Sequence, residues 1–415
     1  MKANWNKIIG PGVLFAATAI GVSHLVQSTT AGAMFGLSLL GFVVLANVLK
    51  YPFFEFGTRY AAATGKSIIE GYHELHPIWL KVYLLVTFVS MFFVTAAVGV
   101  VAIGFMEHLF GLSELFGFSK ATHLILFLGS ALILVIGRFS VLENLIKILG
   151  IVLLVTTVFA FIFTVLDGPK GVELNTGLFP DFSVDTWAFL LPLMGWMPTA
   201  IDLSAWNSLW TVEKIKTTGY HPTVKQSIKE FGFGYWLSAV LAVLFLVMGA
   251  YLVYGTGQEV PKGAASFSAF VVDLYTTSLG KWAALIVGAA AFSIMFSTFI
   301  TILDGYSRAL SVSLPLAFRK VKKTDNLERI AIIGLTIGGL ILILAFENNP
   351  DGFRLLINTA TTLSFIVAPV IAVLNYRLVL ADKIGQQNSP GLFLKIISWL
   401  GILYLIAFLI WFLLF

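Results

Sequence analysis

Long unbroken apolar runs set the pattern of this chain, and short stretches rich in Gly, Pro, Asn and charge separate them. Eleven runs stand out, at 10–31, 35–60, 78–106, 121–137, 143–166, 186–210, 231–255, 281–312, 328–346, 353–379 and 392–414. Most are apolar around the whole helical circumference, which predicts helices in lipid rather than amphipathic surface helices. Membrane strands would instead show alternating segments of about ten residues. The pattern therefore predicts an all-α polytopic membrane protein. Composition agrees: of 415 residues 58% are hydrophobic and 11% charged, and mean hydropathy is +0.94, whereas a soluble domain carries about 25% charged residues. The opening MKANWNKIIGPGVLF is basic and then apolar, like a signal peptide, but it lacks a convincing A-x-A cleavage site. It reads as the first membrane helix.

Lys and Arg placement predicts the orientation. With the N-terminus cytoplasmic, only Lys120, Lys170, Lys262, Lys281 and Arg354 of the 26 basic residues fall outside. The C-terminal Trp411 to Phe415 is then external, the expected location is a plasma (inner) membrane, and Arg319, Lys320, Lys322 and Lys323 form a topology anchor at the anionic leaflet. The net charge of +5 is spread along the chain, without the aromatic interleaving of a nucleic-acid surface. No cysteine is present, so there is neither a disulfide framework nor a thiolate metal site. No Walker loop, HExxH or nucleophile elbow occurs in a plausible context, and no enzyme or cofactor is expected. The expected partners are the lipid bilayer and a small-molecule or ion substrate, with no obligatory protein partner evident.

Two runs are interrupted near mid-span: the first at Gly21-Val22-Ser23-His24, the sixth at Gly195-Trp196-Met197-Pro198. Glycine eases irregular backbone, and proline removes a donor and clashes with the preceding turn. In lipid, freed backbone groups survive only against protein or a wet cavity. Either interruption alone is as well explained by a packing kink. Two at matching depth, one in each five-helix half, point to a midplane binding site in an inverted-repeat transporter.

Three stretches carry a family resemblance. The first, GPGVLFAATAIGVSHLVQSTTAGAMFG from Gly10 to Gly36, resembles the first helix of the NRAMP divalent-metal transporters, with its GPG start and AGAxFG end. The second, LLGFVVLANVLKYPFFEFGTRYAAATGKSIIE, is similar to that family's second helix, and Met197-Pro198 to the start of its MPH motif. The resemblance implies a LeuT-like fold of two inverted five-helix repeats, about 10–166 and 186–379, plus an eleventh helix at 392–414, within a single transporter domain, 1–415. It also implies alternating-access transport of a divalent metal cation. The family's DPGN metal motif is replaced, with Gly21 and His24 at its aspartate and asparagine positions. Thr199 stands for the histidine of MPH, and Phe93 and Ala96 for a proton-linked acidic pair. A changed ligand set is therefore expected.

The candidate substrate residues are Gly21, Ser23, His24, Gln27, Trp196, Met197, Thr199 and Asp202, with His24, Met197 and Asp202 as candidate metal ligands. Gln27, Ser28 and Ala31 share a helical face with His24. Imidazole and thioether suit borderline and soft ions, and an intramembrane carboxylate such as Asp202 defaults to function. Against these stand ordinary packing for His24, Met197, Trp196 and Trp206, and a structural acid for Asp202. Ser297, Thr298 and Thr301 form a candidate Na⁺-binding face whose alternative is bonding to their own helix. Asn358, Thr359, Thr361, Thr362 and Ser364 suit a gate or helix packing. Asp304–Arg308 and Glu143–Lys147 have the spacing of ion pairs. The rival function is transport of a small organic solute or cation, with or without coupling to Na⁺, because glycine for aspartate enlarges the site as it removes charge. A membrane sensor ranks below both, since the sequence stops after the eleventh run.

Overall fold

The computed structural model describes residues 5–136, 139–171, 177, 180–181, 183–322 and 324–414. Among these residues there are helices and no strands. The first run becomes α1 (Pro11–Ala19), a π-helical turn (Ser23–Ser28) and α2 (Thr29–Phe35), bent by 42° at the break. Then follow α3 (Leu40–Thr64), the short α4 (Ile68–Leu75), α5 (Pro77–Phe110), α6 (Ala121–Ile136) and α7 (Phe139–Asp167). The sixth run splits into α8 (Val184–Gly195) and α9 (Leu203–Thr218). The chain continues through α10 (Val224–Leu252), α11 (Ala264–Leu279), α12 (Ala284–Ala317), α13 (Asp325–Phe346), α14 (Gly352–Leu378) and α15 (Leu392–Leu414).

Eight of these helices are long and apolar enough to cross a membrane, and the bent first pair makes a ninth. The apolar helices α6 and α8 are shorter. Each of the eleven sequence runs thus coincides with a helix or a broken pair. Large apolar side chains stand exposed on the outer faces of α5, α7, α13 and α15, among them Leu85, Ile151, Ile341 and Phe393. Patches of that size belong in lipid, and the chain is an integral membrane protein. Two helices escaped the hydropathy pattern, α4 and α11, because both are short and carry polar residues. A capping box of Thr223 and Gln226 starts α10 at Val224, ahead of its apolar run.

Glycines let helices touch where lipid gives no hydrophobic drive for association. A Cβ on Gly32 of α2 would lie 1.9 Å from the Leu246 carbonyl of α10, and one on Gly249 would lie 2.3 Å from that of Thr29. At the other end of the first run, a Cβ on Gly234 would sit 2.1 Å from the Gly12 carbonyl. Glu230 of α10 caps the start of α1 by accepting from the backbone N–H of Gly10 at 3.0 Å and of Gly12 at 2.9 Å. A carboxylate there satisfies orphan donors and complements the helix dipole. The GPG start is therefore a docking element: Pro11 opens the helix and the flanking glycines admit Glu230.

Candidate functional site

At the first break the backbone leaves α-helical geometry after Ala19, and hydroxyls catch the carbonyls it frees. Ser23 Oγ lies 2.8 Å from Ala19 O and Thr298 Oγ1 of α12 donates to Ala17 O at 2.9 Å, while Thr18 Oγ1 bonds Leu14 O within α1 at 2.7 Å. A Cβ on Gly21 would press on the Thr298 side chain at 3.0 Å, so a larger residue here would have to displace the hydroxyl that serves Ala17 O. His24 is fully buried and turned toward α10. Its Nε2 lies 2.8 Å from the Ser238 carbonyl, which only accepts, so this nitrogen carries the proton. Its Nδ1 faces Ser23 Oγ at 2.7 Å.

At the second break, residues 196–202 run outside helical geometry between α8 and α9, and the Met197–Pro198 peptide is cis. The end of α8 exposes carbonyls that lack intrahelical partners. Lys50, from the middle of α3, takes them: its Nζ donates to Met194 O and Gly195 O at 3.1 Å and to Thr199 O at 2.9 Å. The ammonium is buried and faces Asp202 electrostatically. Asp202 closes the irregular stretch at the N-cap of α9 without capping it. Its Oδ2 accepts a long bond of 3.4 Å from Tyr306, and its Oδ1 is buried without a partner. Tyr72 and Tyr83 lie within electrostatic reach of the same carboxylate, and the Tyr72 hydroxyl donates to Asn375.

Between the two breaks lies a closed cavity with about 20 Å³ open to the centre of a water-sized sphere. Thr18, Ser23, Trp196, Thr199 and Thr298 supply its polar lining, and Val22, Val94, Leu203 and Ile302 part of the apolar remainder. On one side of the molecule a vestibule of about 310 Å³ holds Gln27, Arg354 and Asn358. On the other, a vestibule of about 410 Å³ holds Asp304, Arg308, Glu213 and Glu328.

Four of the residues singled out from sequence, Ser23, Trp196, Thr199 and Thr298, line the central cavity. The metal trio does not converge: His24 bonds to α10, Met197 is packed in the core, and Asp202 is buried against Tyr306 of α12. Among the described residues no group of three or more His, Asp or Glu side chains is placed to hold a metal ion. Trp196 points its Nε1 at Ser364 of α14, 2.9 Å away. Of the hydroxyl face on α12, Thr301 bonds its own helix through Ser297 O, while Thr298 reaches across to helix α1. Asp304 and Arg308 form their ion pair at 2.8 Å. The side chains of Glu143 and Lys147, and residue Lys323, lie outside the described residues.

Lys50 corrects the charge reading, which counted it among the inner-loop basic residues. It is buried at mid-span and serves the second break. A lone lysine inside an apolar helix was the available signal. Trp196→Phe should lower stability by roughly 1–2 kcal/mol, the scale of one buried hydrogen bond plus some packing, read as a small drop in melting temperature.

Two mid-span breaks around a small, buried, mostly apolar cavity with a few hydroxyls match the architecture of the LeuT-fold transporters. The chain belongs to the natural resistance-associated macrophage protein-like family, whose model matches residues 12–415. It is 32% identical to the protein PM0681 of Pasteurella multocida over 98% of this chain and 92% of that one. Its fold is similar to the crystal structure of an Eremococcus coleocola manganese transporter (TM-score 0.70, 16% identity, 98% of this chain and 86% of that one). It is also similar to MhsT in complex with L-phenylalanine (TM-score 0.63, 12% identity, 96% and 98% covered). These likenesses bear out the expected family and the LeuT-like fold of five plus five helices with an eleventh.

Proposed function

We propose that this protein is a secondary transporter that carries a divalent metal cation across a plasma (inner) membrane by alternating access. The N-terminus is cytoplasmic in this reading, and the repeats span about 10–166 and 186–379. The observation that carries it is the lining of the central cavity. Thr18 and Thr298 each give their single hydroxyl proton to a carbonyl of the first helix, and that of Ser23 is shared between Ala19 O and His24 Nδ1, so each hydroxyl keeps a lone pair to offer. Room for about one water-sized body suits a single ion better than an organic solute in this closed form. Oxygen ligands suit Mg²⁺- or Mn²⁺-like ions over softer metals, and the manganese transporter named among the similar folds fits that class. Ser23 and Thr199 are the proposed ligands, Trp196 walls the cavity, and Gly21, His24, Met197 and Asp202 shape the two breaks. Gln27 lies in the vestibule that, in this orientation, faces outside.

The test is Mn²⁺ titration of the purified protein with ⁵⁴Mn uptake into proteoliposomes. Each lost oxygen ligand to a charged group is worth roughly 1.5–3 kcal/mol, so Ser23→Ala with Thr199→Val should weaken Mn²⁺ binding on the order of a hundredfold or more. Wild-type protein that neither binds nor takes up Mn²⁺ would refute the metal assignment. One observation favours a second reading, an organic solute: no carboxylate lines the cavity. In that case a solute, with or without Na⁺, raises the melting temperature and Mn²⁺ leaves it flat.

A further inference from the structure

The geometry points to Lys50 as a tethered monovalent cation: its ammonium fills a site that, without it, would bind a free ammonium or potassium ion. Three neutral carbonyls converge on Nζ at 2.9–3.1 Å, two from the last turn of α8 and one from the irregular stretch beyond it. Unwound carbonyls and half-helix C-termini are the groups that hold Na⁺ or H⁺ in transporters of this architecture. The first break has no comparable cation, since the carbonyls of Ala17 and Ala19 are taken by the hydroxyls of Thr298 and Ser23. The second break thus keeps a carbonyl cradle, and the chain supplies the charge for it.

The surrounding charge sets the valence. Asp202 is the acid facing Lys50, with one oxygen still unpartnered. One carboxylate balances one positive charge, whereas a divalent ion would leave a buried surplus. The cradle is spaced for N–H···O bonds, which fits ammonium and the similarly sized K⁺ and would have to contract around Na⁺. A lysine acting only as a helix cap makes no such demand: its loss would leave a weakened protein indifferent to the salt present. The inference concerns stability in monovalent salts and stands apart from the identity of the transported substrate.

The experiment is thermal unfolding of wild type, K50A and K50Q in chloride salts of N-methylglucamine, Na⁺, K⁺ and ammonium at constant ionic strength. The expected result is a saturable rise of several degrees in Tm for K50A with ammonium and K⁺, less with Na⁺ and none with N-methylglucamine, while wild type stays flat. K50Q, which puts an amide into the cradle, should respond more weakly. If K50A yields folded protein only when purified in ammonium or K⁺, that selective recovery supports the assignment equally. Identical Tm values for K50A in all four salts, a wild-type response as large as that of K50A, or failure of both variants to fold in every salt would overturn it.

Discussion

Gly32→Val should leave almost no monodisperse protein. Even the first added carbon would sit 1.9 Å from the Leu246 carbonyl and 2.7 Å from the Ala250 nitrogen. Both are backbone atoms of α10, so no side chain can turn aside, and α2 would have to withdraw along its whole contact. Overpacking in a tight core costs about 1–3 kcal/mol, and more where backbone must move; the expected loss here is above that range. The comparison is Gly129→Ala on α6, whose added carbon meets nothing within 4 Å. That variant should match or exceed wild type by roughly 0.5–1 kcal/mol, since alanine favours helix over glycine. Size-exclusion profiles and melting curves of the two variants in one detergent check the pair. A well-behaved Gly32→Val protein would refute the close seam between the first and seventh spans.

Lys50→Met and Asp202→Asn are the other severe changes. Lys50 and Asp202 are both buried and interact through space rather than in a contact ion pair, so each loss should cost less than the roughly 3–5 kcal/mol of breaking a contact pair but remain large. Each single variant should therefore melt far below wild type. The double variant should lose less than the two singles added together, with a coupling on the order of 0.5–3 kcal/mol. Additive losses would show that Lys50 and Asp202 do not sense each other. For Lys50→Met the three carbonyls of Met194, Gly195 and Thr199 also lose their donor, so the lysine variant should be the worse of the singles.

The fold was legible because its signals are local. Apolar runs long enough for lipid marked the spans, and Gly21 and Pro198 marked the breaks, since hydropathy and backbone stereochemistry act within a few residues. The site was legible only in part. Ser23, Trp196 and Thr199 lie beside the breaks and could be named from them. Lys50 reaches carbonyls more than a hundred positions away, and Glu230 likewise seeks Gly10 and Gly12. No spacing along the chain announces such pairs. His24 is the reverse case: its position in the family motif suggested a ligand, and the Ser238 carbonyl that its Nε2 faces could not be read without α10 in place.

The fastenings at the two breaks share a consequence for motion. Both halves of the first span are bound to the same partner, α10: α1 through Glu230 and the Gly12–Gly234 approach, α2 through Gly32 and Gly249. The second break is pinned to α3 by Lys50. Neither break is then a free elbow. The helices that carry the irregular backbone are yoked in pairs to straight ones, like a door hung on its own post. In the proposed transport cycle the parting plane would run where the yokes do not, along the contact with α12 that Thr298 bridges by one hydroxyl. The second helix pair meets α12 through two more bonds, Tyr306 to Asp202 and Trp210 Nε1 to Asp304; at about 1 kcal/mol net apiece these are light latches that would let whole helix pairs swing while each break kept its shape.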